Sequence, residues 1–154
     1  MHEVNELQHE HFMRRCIELA RIALEGGDTP VGSVIVREGR ILAEGVEAVR
    51  ALCDVTAHAE VEAVRAACRL ARTLDLSGST LYTTVAPCAM CAYAIRQCHI
   101  GTVVSGTRTM KEEGTSAARL ILSEQNIPRE SLPPELIYGV LQDECLALLR
   151  RNPS

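Results

Sequence analysis

Tryptophan is absent from this 154-residue chain, phenylalanine occurs once and tyrosine three times. Any core it builds is therefore largely aliphatic. Long hydrophobic runs are missing as well. No stretch approaches the ~18 apolar residues that a membrane helix needs, and the opening MHEVNELQHE is too polar for a secretory leader. No membrane association and a cytoplasmic protein are the expectations. Low-complexity segments, internal repeats and interdomain linkers are also lacking, so residues 1–154 are expected to form a single domain. Basic charge is in short supply: 16 Lys and Arg stand against 20 Asp and Glu, a net charge of −4. Polyanion binders usually carry a basic footprint, so nucleic acid is not the expected partner. Arg65, Arg69 and Arg72 share one helix face by spacing and read as a solvated face.

Aliphatic residues and cysteines are what the chain does have. Hydrophobic residues make up 47%, enough for a sizeable core. The seven cysteines are an odd number with no leader before them, which argues against a disulfide framework. Cys16, Cys53, Cys68, Cys98 and Cys145 lie in apolar or helical contexts and read as small hydrophobes. Only Cys88 and Cys91 have the spacing of a metal site.

Phe12, Cys16, Leu19, Ala20 and Ala23 mark one face of a first helix that Gly26-Gly27 stops. Val31–Val36 and Ile41–Gly45, either side of Arg37-Glu38-Gly39-Arg40, predict a β-hairpin. A loop over Glu47–Thr56 leads to a helix from about His58 to Arg72, with Val61, Val64, Cys68 and Ala71 inward. A strand at Ser79–Thr84 precedes a helix from Cys88 to Gln97, opened by Pro87. A strand at Gly101–Gly106, helices near Ser116–Gln125 and Val140–Arg150, and a strand near Leu136–Tyr138 complete the series. Strands alternating with helices after a hairpin predict a three-layer α/β/α sandwich around a mixed sheet.

Two short pieces carry the chemistry: His58-Ala59-Glu60 and Pro87-Cys88-Ala89-Met90-Cys91, each at a predicted helix start. The positive end of a helix favours thiolates. Two thiolates and one imidazole give Zn2+ three protein ligands, the number of a catalytic site with one open position. Glu60 is the candidate to take the proton from water there and then to deliver protons to the ring nitrogen and the leaving amine. Either half alone is weak, since Cys-x-x-Cys also occurs in redox pairs and zinc ribbons. Together they form the signature of zinc deaminases of nucleobases.

With PVGSVIV, TAHAE, LYTTVAPCAMCAYAI, IGTVVSG and DECLALL, the chain resembles the cytidine deaminase superfamily. Within it, the likeness is to the branch of tRNA adenosine deaminases, bacterial guanine deaminases and yeast-type cytosine deaminases. The resemblance implies a five-stranded sheet, one zinc per chain, a homodimer or larger assembly, and hydrolytic release of ammonia. It also implies that the Ala59 amide helps bind the substrate edge. Members commonly carry Asn eleven residues before the ligand His; here that position is Glu47, which accepts hydrogen bonds but does not donate when ionised. Glu47, Ala59, Ala86 and Pro87 are the residues expected to meet the substrate.

The tRNA branch usually has Glu before Pro-Cys and a Lys-rich stretch after the next strand. Here Ala86 and Met110-Lys111-Glu112-Glu113-Gly114 stand there. The expected substrate is accordingly a free nucleobase or a related pterin- or triazine-like heterocycle. Adenosine in tRNA is the alternative, and a non-catalytic zinc module a second. The Thr107–Gly114 segment or a neighbouring subunit is the candidate lid, and Met90, Ala94 and Ile95 the candidate surface between copies.

Overall fold

The computed structural model describes residues 2–108, 112–128 and 131–152. Among them, α1 (His2–Glu25) is followed by the hairpin β1 (Gly32–Arg37) and β2 (Arg40–Val46). The connection is the two residues Glu38 and Gly39, both at positive φ (53° and 75°). A two-residue turn of that kind matches the twist of the strands it joins. Then come α2 (Val49–Leu52), α3 (Ala59–Ala71), β3 (Thr80–Val85), α4 (Ala89–Gln97) and β4 (Thr102–Thr107). The chain closes with α5 (Glu112–Ser123), β5 (Glu135–Tyr138) and α6 (Gln142–Leu149).

The five strands lie in the order β2-β1-β3-β4-β5. β1 runs antiparallel to β2 and β3, while β3, β4 and β5 are mutually parallel, so the sheet is mixed as expected. Alternation along each strand feeds two separate cores. Ile35, Leu81 and Val103 pack with Ala63 and Ala67 of α3, Ala92 and Ile95 of α4, and Ala118 and Leu122 of α5. Val34, Val36, Tyr82 and Val104 face α1 and α6. The result is the three-layer α/β/α sandwich. No described helix is long and apolar enough to cross a membrane.

Three expectations are corrected. The most deeply buried residues of α3 are Ala59, Glu60, Ala63 and Ala67; of the four expected, Val64 and Cys68 are half-buried but pack against the core, while Val61 and Ala71 are only half-buried. The cause is Gly45, where a Cβ would collide with the backbone of Ala59 and Ala63. The helix lies so close to β2 that only small residues fit between them. Second, the loop before His58 contains the short helix α2. Third, Ile95 is wholly buried in the core, and the solvent-facing side chains of α4 are Met90 and Tyr93.

Candidate active site

The parallel strands β3 and β4 end together, with Val85 opposite Thr107. The Ala86 amide then donates to the Thr107 carbonyl (3.1 Å), which steers the chain into α4. Carboxyl ends of parallel strands are where open α/β sheets place their ligands. Here α4 and α3 both begin beside that edge. His58 and Cys88 are the residues just before these helices, and both have extended backbones (ψ 149° and 177°). That resolves the direction of Glu60. On a regular helix it would point away from His58, but His58 lies extended outside the helix, and the Glu60 carboxylate clusters with His58 and comes within 3.5 Å of Cys91 Sγ.

His58 Nδ1, Cys88 Sγ and Cys91 Sγ form a triangle with three edges of 3.6 Å. Zinc bonds of about 2.3 Å to sulfur and about 2.0–2.1 Å to nitrogen give tetrahedral ligand separations of roughly 3.5–3.8 Å. The donor set and its spacing therefore fit a zinc ion. No fourth protein donor joins the three among the described residues. Glu47, His58 and Glu60 make a second cluster that shares the histidine.

Glu60 is buried, 4% exposed. One of its oxygens accepts from the Thr83 hydroxyl at 2.6 Å, and the other lies 3.5 Å from Cys91 Sγ. Burial pushes its pKa up, and the Thr83 hydrogen bond works against that rise. Within the triad the two thiols are shifted in opposite directions. Cys88 falls to about 4, first because Cys91 donates a hydrogen bond to it, with His58 helping. Cys91 is pushed up by the same hydrogen bond, then by burial and Glu60. The fall of Cys88 is the direction a divalent cation reinforces, since a metal draws each ligating thiol to its thiolate. His58 rises to about 9, mainly through its hydrogen bond with Cys88 and with Glu47 adding to it.

A cavity of about 250 Å³ opens onto this cluster, lined by Thr29, Val31, Glu47, His58, Glu60, Val85, Ala86, Cys88 and Leu149. A larger one of about 360 Å³ lies at the other end of the strands, by Thr80, Thr102 and Glu135, and holds none of the triad. The smaller cavity is thus the one with chemistry in it. Glu47 and Ala86 line it. Pro87 is buried and lies outside the lining. The Ala59 amide does not stand free: it donates to Glu47 Oε1 at 2.8 Å. Glu47 is pushed up to about 7 by burial first and then by the charge of Glu60, against the pull of that amide.

Asp54 accepts from the amide and hydroxyl of Thr56 (2.8 and 2.6 Å) and so shapes the turn ahead of His58. His99 is elsewhere, 3.5 Å from Asp75 and beside Ser77 and Leu132. Thr83, Thr29 and Leu149 were not legible in the sequence. Thr83 shares the α3 face of its strand with Leu81, so a polar residue at that core position was the one available signal. The candidate lid Thr107–Gly114 runs through Met110 and Lys111, which lie outside the described residues.

Residues 6–107 match the family of the cytidine and deoxycytidylate deaminase zinc-binding region. A tRNA-specific adenosine deaminase of Aquifex aeolicus is 38% identical over 118 residues, 77% of this chain and 78% of its own length. A guanine deaminase of Bacillus subtilis is 43% identical over 90 residues, covering 58% of each chain. Among solved structures, one from a study of A-to-I editing by tRNA:A34 deaminases is 33% identical with a TM-score of 0.80. The match covers 90% of this chain and 99% of that one. The tRNA-specific relatives overturn the expectation of a small-molecule heterocycle as substrate with no nucleic acid as partner. The physical error was to read a whole-molecule charge as if it described the surface around one cavity.

Proposed function

The chain belongs to the cytidine and deoxycytidylate deaminase family with its zinc-binding region, and from that membership we propose that this hydrolytic deaminase converts adenosine to inosine in tRNA. The observation that carries the reading is the likeness, over 90% of the chain, to the tRNA:A34 deaminase structure. His58, Cys88 and Cys91 would hold one zinc per chain. When bound, zinc supplies a Lewis acid that makes water a nucleophile near neutral pH.

The chain's own groups would do the rest. Glu60 takes a proton from the attacking water and passes it to the ring nitrogen beside C6, then takes the remaining proton of the new C6 hydroxyl and delivers it to the departing amine. The C–N bond breaks, ammonia leaves, and the ring keeps the oxygen. Thr83 holds one Glu60 oxygen at 2.6 Å and leaves the other on the metal side. Thr29, Val31 and Leu149 wall the cavity. A local feature also favours a polyanionic substrate. Arg108, the residue after Thr107, lies over the Tyr138 ring at 5.5 Å, and Arg119 lies over it at 6.0 Å.

The test is inosine formation in a tRNA panel carrying adenosine at the anticodon wobble position, with protein at one zinc per chain. Inosine from wild type and none from Glu60→Gln supports the reading. Full zinc with no inosine in any tRNA, or ammonia released from free guanine alone, sinks it.

A further inference from the structure

We propose that Glu47 is a positioning residue of the metal centre, acting as a detached cap on the first turn of α3. The inference rests on the metal-dependent reading of the site but not on the choice of RNA as substrate. The first backbone amides of a helix have no partner within it, and a side chain at the residue before the helix usually supplies one. At α3 that residue is His58, which makes no capping hydrogen bond. Its imidazole is turned to Cys88 and Cys91 instead. A histidine given to a metal leaves its helix uncapped.

Glu47 fills the gap from twelve residues before Ala59. Its Oε1 accepts from the Ala59 amide at 2.8 Å, the first residue of α3. The carboxylate itself sits on fixed backbone. The Glu47 amide donates to the Val31 carbonyl (3.1 Å), and the next residue, Ala48, donates to the Ala57 carbonyl (3.0 Å). The excursion from Glu47 to Ala59 is therefore closed by two hydrogen bonds at its neck. An anion at a helix start is also favoured by the helix dipole over a short range. Ala59 stands between His58 and Glu60, so the contact fixes the backbone that carries a ligand on one side and the acid/base on the other.

A consequence for recognition follows. With its amide engaged by Glu47, Ala59 offers no donor to a substrate. Ala86 offers none either, because its amide is held by Thr107. A residue that only touched substrate would have no reason to consume a donor of its own cavity.

Glu47→Gln keeps an oxygen that can accept from Ala59, whereas Glu47→Ala and Glu47→Leu remove it. The measurement is zinc release to a chelator in the absence of substrate, with inosine kinetics alongside. Removing a group that orients metal ligands typically weakens metal binding about 10–100-fold. We expect zinc release from Glu47→Ala to accelerate within that range and kcat to fall more than KM rises. Glu47→Gln should restore zinc retention to within about threefold of wild type. Wild-type zinc retention in Glu47→Ala and Glu47→Leu, with KM alone raised, would overturn the proposal and make Glu47 a substrate contact. Because zinc release is read without substrate, its outcome stands whether or not tRNA is the substrate. If the alanine variant does not fold, zinc release from Glu47→Gln as fast as from Glu47→Leu overturns the proposal equally.

Discussion

A carboxylate that removes a proton from water and later returns it works best with a pKa near the operating pH, and burial moves Glu60 in that direction. Replacing it with Gln keeps the shape and removes the proton carrier. Turnover should fall by about 10²–10⁴-fold, with zinc content unchanged by metal analysis; full activity would refute the role. Thr83 sets the other side of the balance. Its hydroxyl favours the ionised carboxylate, so Thr83→Val should raise the Glu60 pKa further. Activity that needs ionised Glu60 is present above that pKa and is lost as pH falls through it. The acid limb of the kcat/KM profile should therefore move to higher pH, and Thr83→Ser should move it back. An unmoved limb would leave Thr83 a packing residue only. At this scale the gathering of His58, Cys88, Cys91 and Glu60 was legible because each lies in a short run whose residues share one local frame. Thr83 was not, since only the packing of α3 on β3 brings it to Glu60.

The two helix starts at the site depend on how closely their elements approach the sheet. Gly45 allows α3 to rest on β2, and that explains why the hydrophobic pattern misled. Ranking by hydrophobicity points to Val61 and Val64, but the close contact admits only Ala59, Ala63 and Ala67. The four-residue α2 was missed because so short a turn shows no period. On α4, Arg96 is 1% exposed and donates to Ser131 Oγ (3.0 Å), the Ser131 carbonyl (2.6 Å) and the Ile121 carbonyl (2.7 Å). Ile121 lies in the last turn of α5, where helix carbonyls lack internal partners. The guanidinium thus ties the end of α5 and the chain at Ser131 to α4. Arg96→Leu leaves those buried acceptors unpaired. It should lower the unfolding free energy by about 3 kcal/mol or more, from several acceptors at about 1–3 kcal/mol each. Urea unfolding reads this directly, and a change below about 1 kcal/mol would show that water replaces the guanidinium.

For the whole molecule, the sequence predicted the alternation of strands and helices and hence the layers, because period and turn residues recur along the chain. The partner was misread, because a sum of charges discards position. Arg108 and Arg119 are exposed and meet over Tyr138. Neither makes an ion pair with a described residue. Tyr138 ends β5 opposite Ser105 of β4, on the same edge of the sheet as the triad. A guanidinium lying on an aromatic face still presents its N–H fork to an anion, and phosphate accepts it bidentately. A net charge of −4 is compatible with RNA binding if such contacts sit beside the cavity, because the total carries no information about position. Each phosphate neutralised on a single strand contributes about 0.7 to the slope of log affinity against log salt. The double variant Arg108→Ala/Arg119→Ala should therefore bind an anticodon stem-loop more weakly at low salt, with a slope shallower by about 1.4. Fluorescence anisotropy across a salt series measures both. An unchanged slope would mean that these arginines serve only to hold Tyr138, and that the RNA backbone is met by other residues.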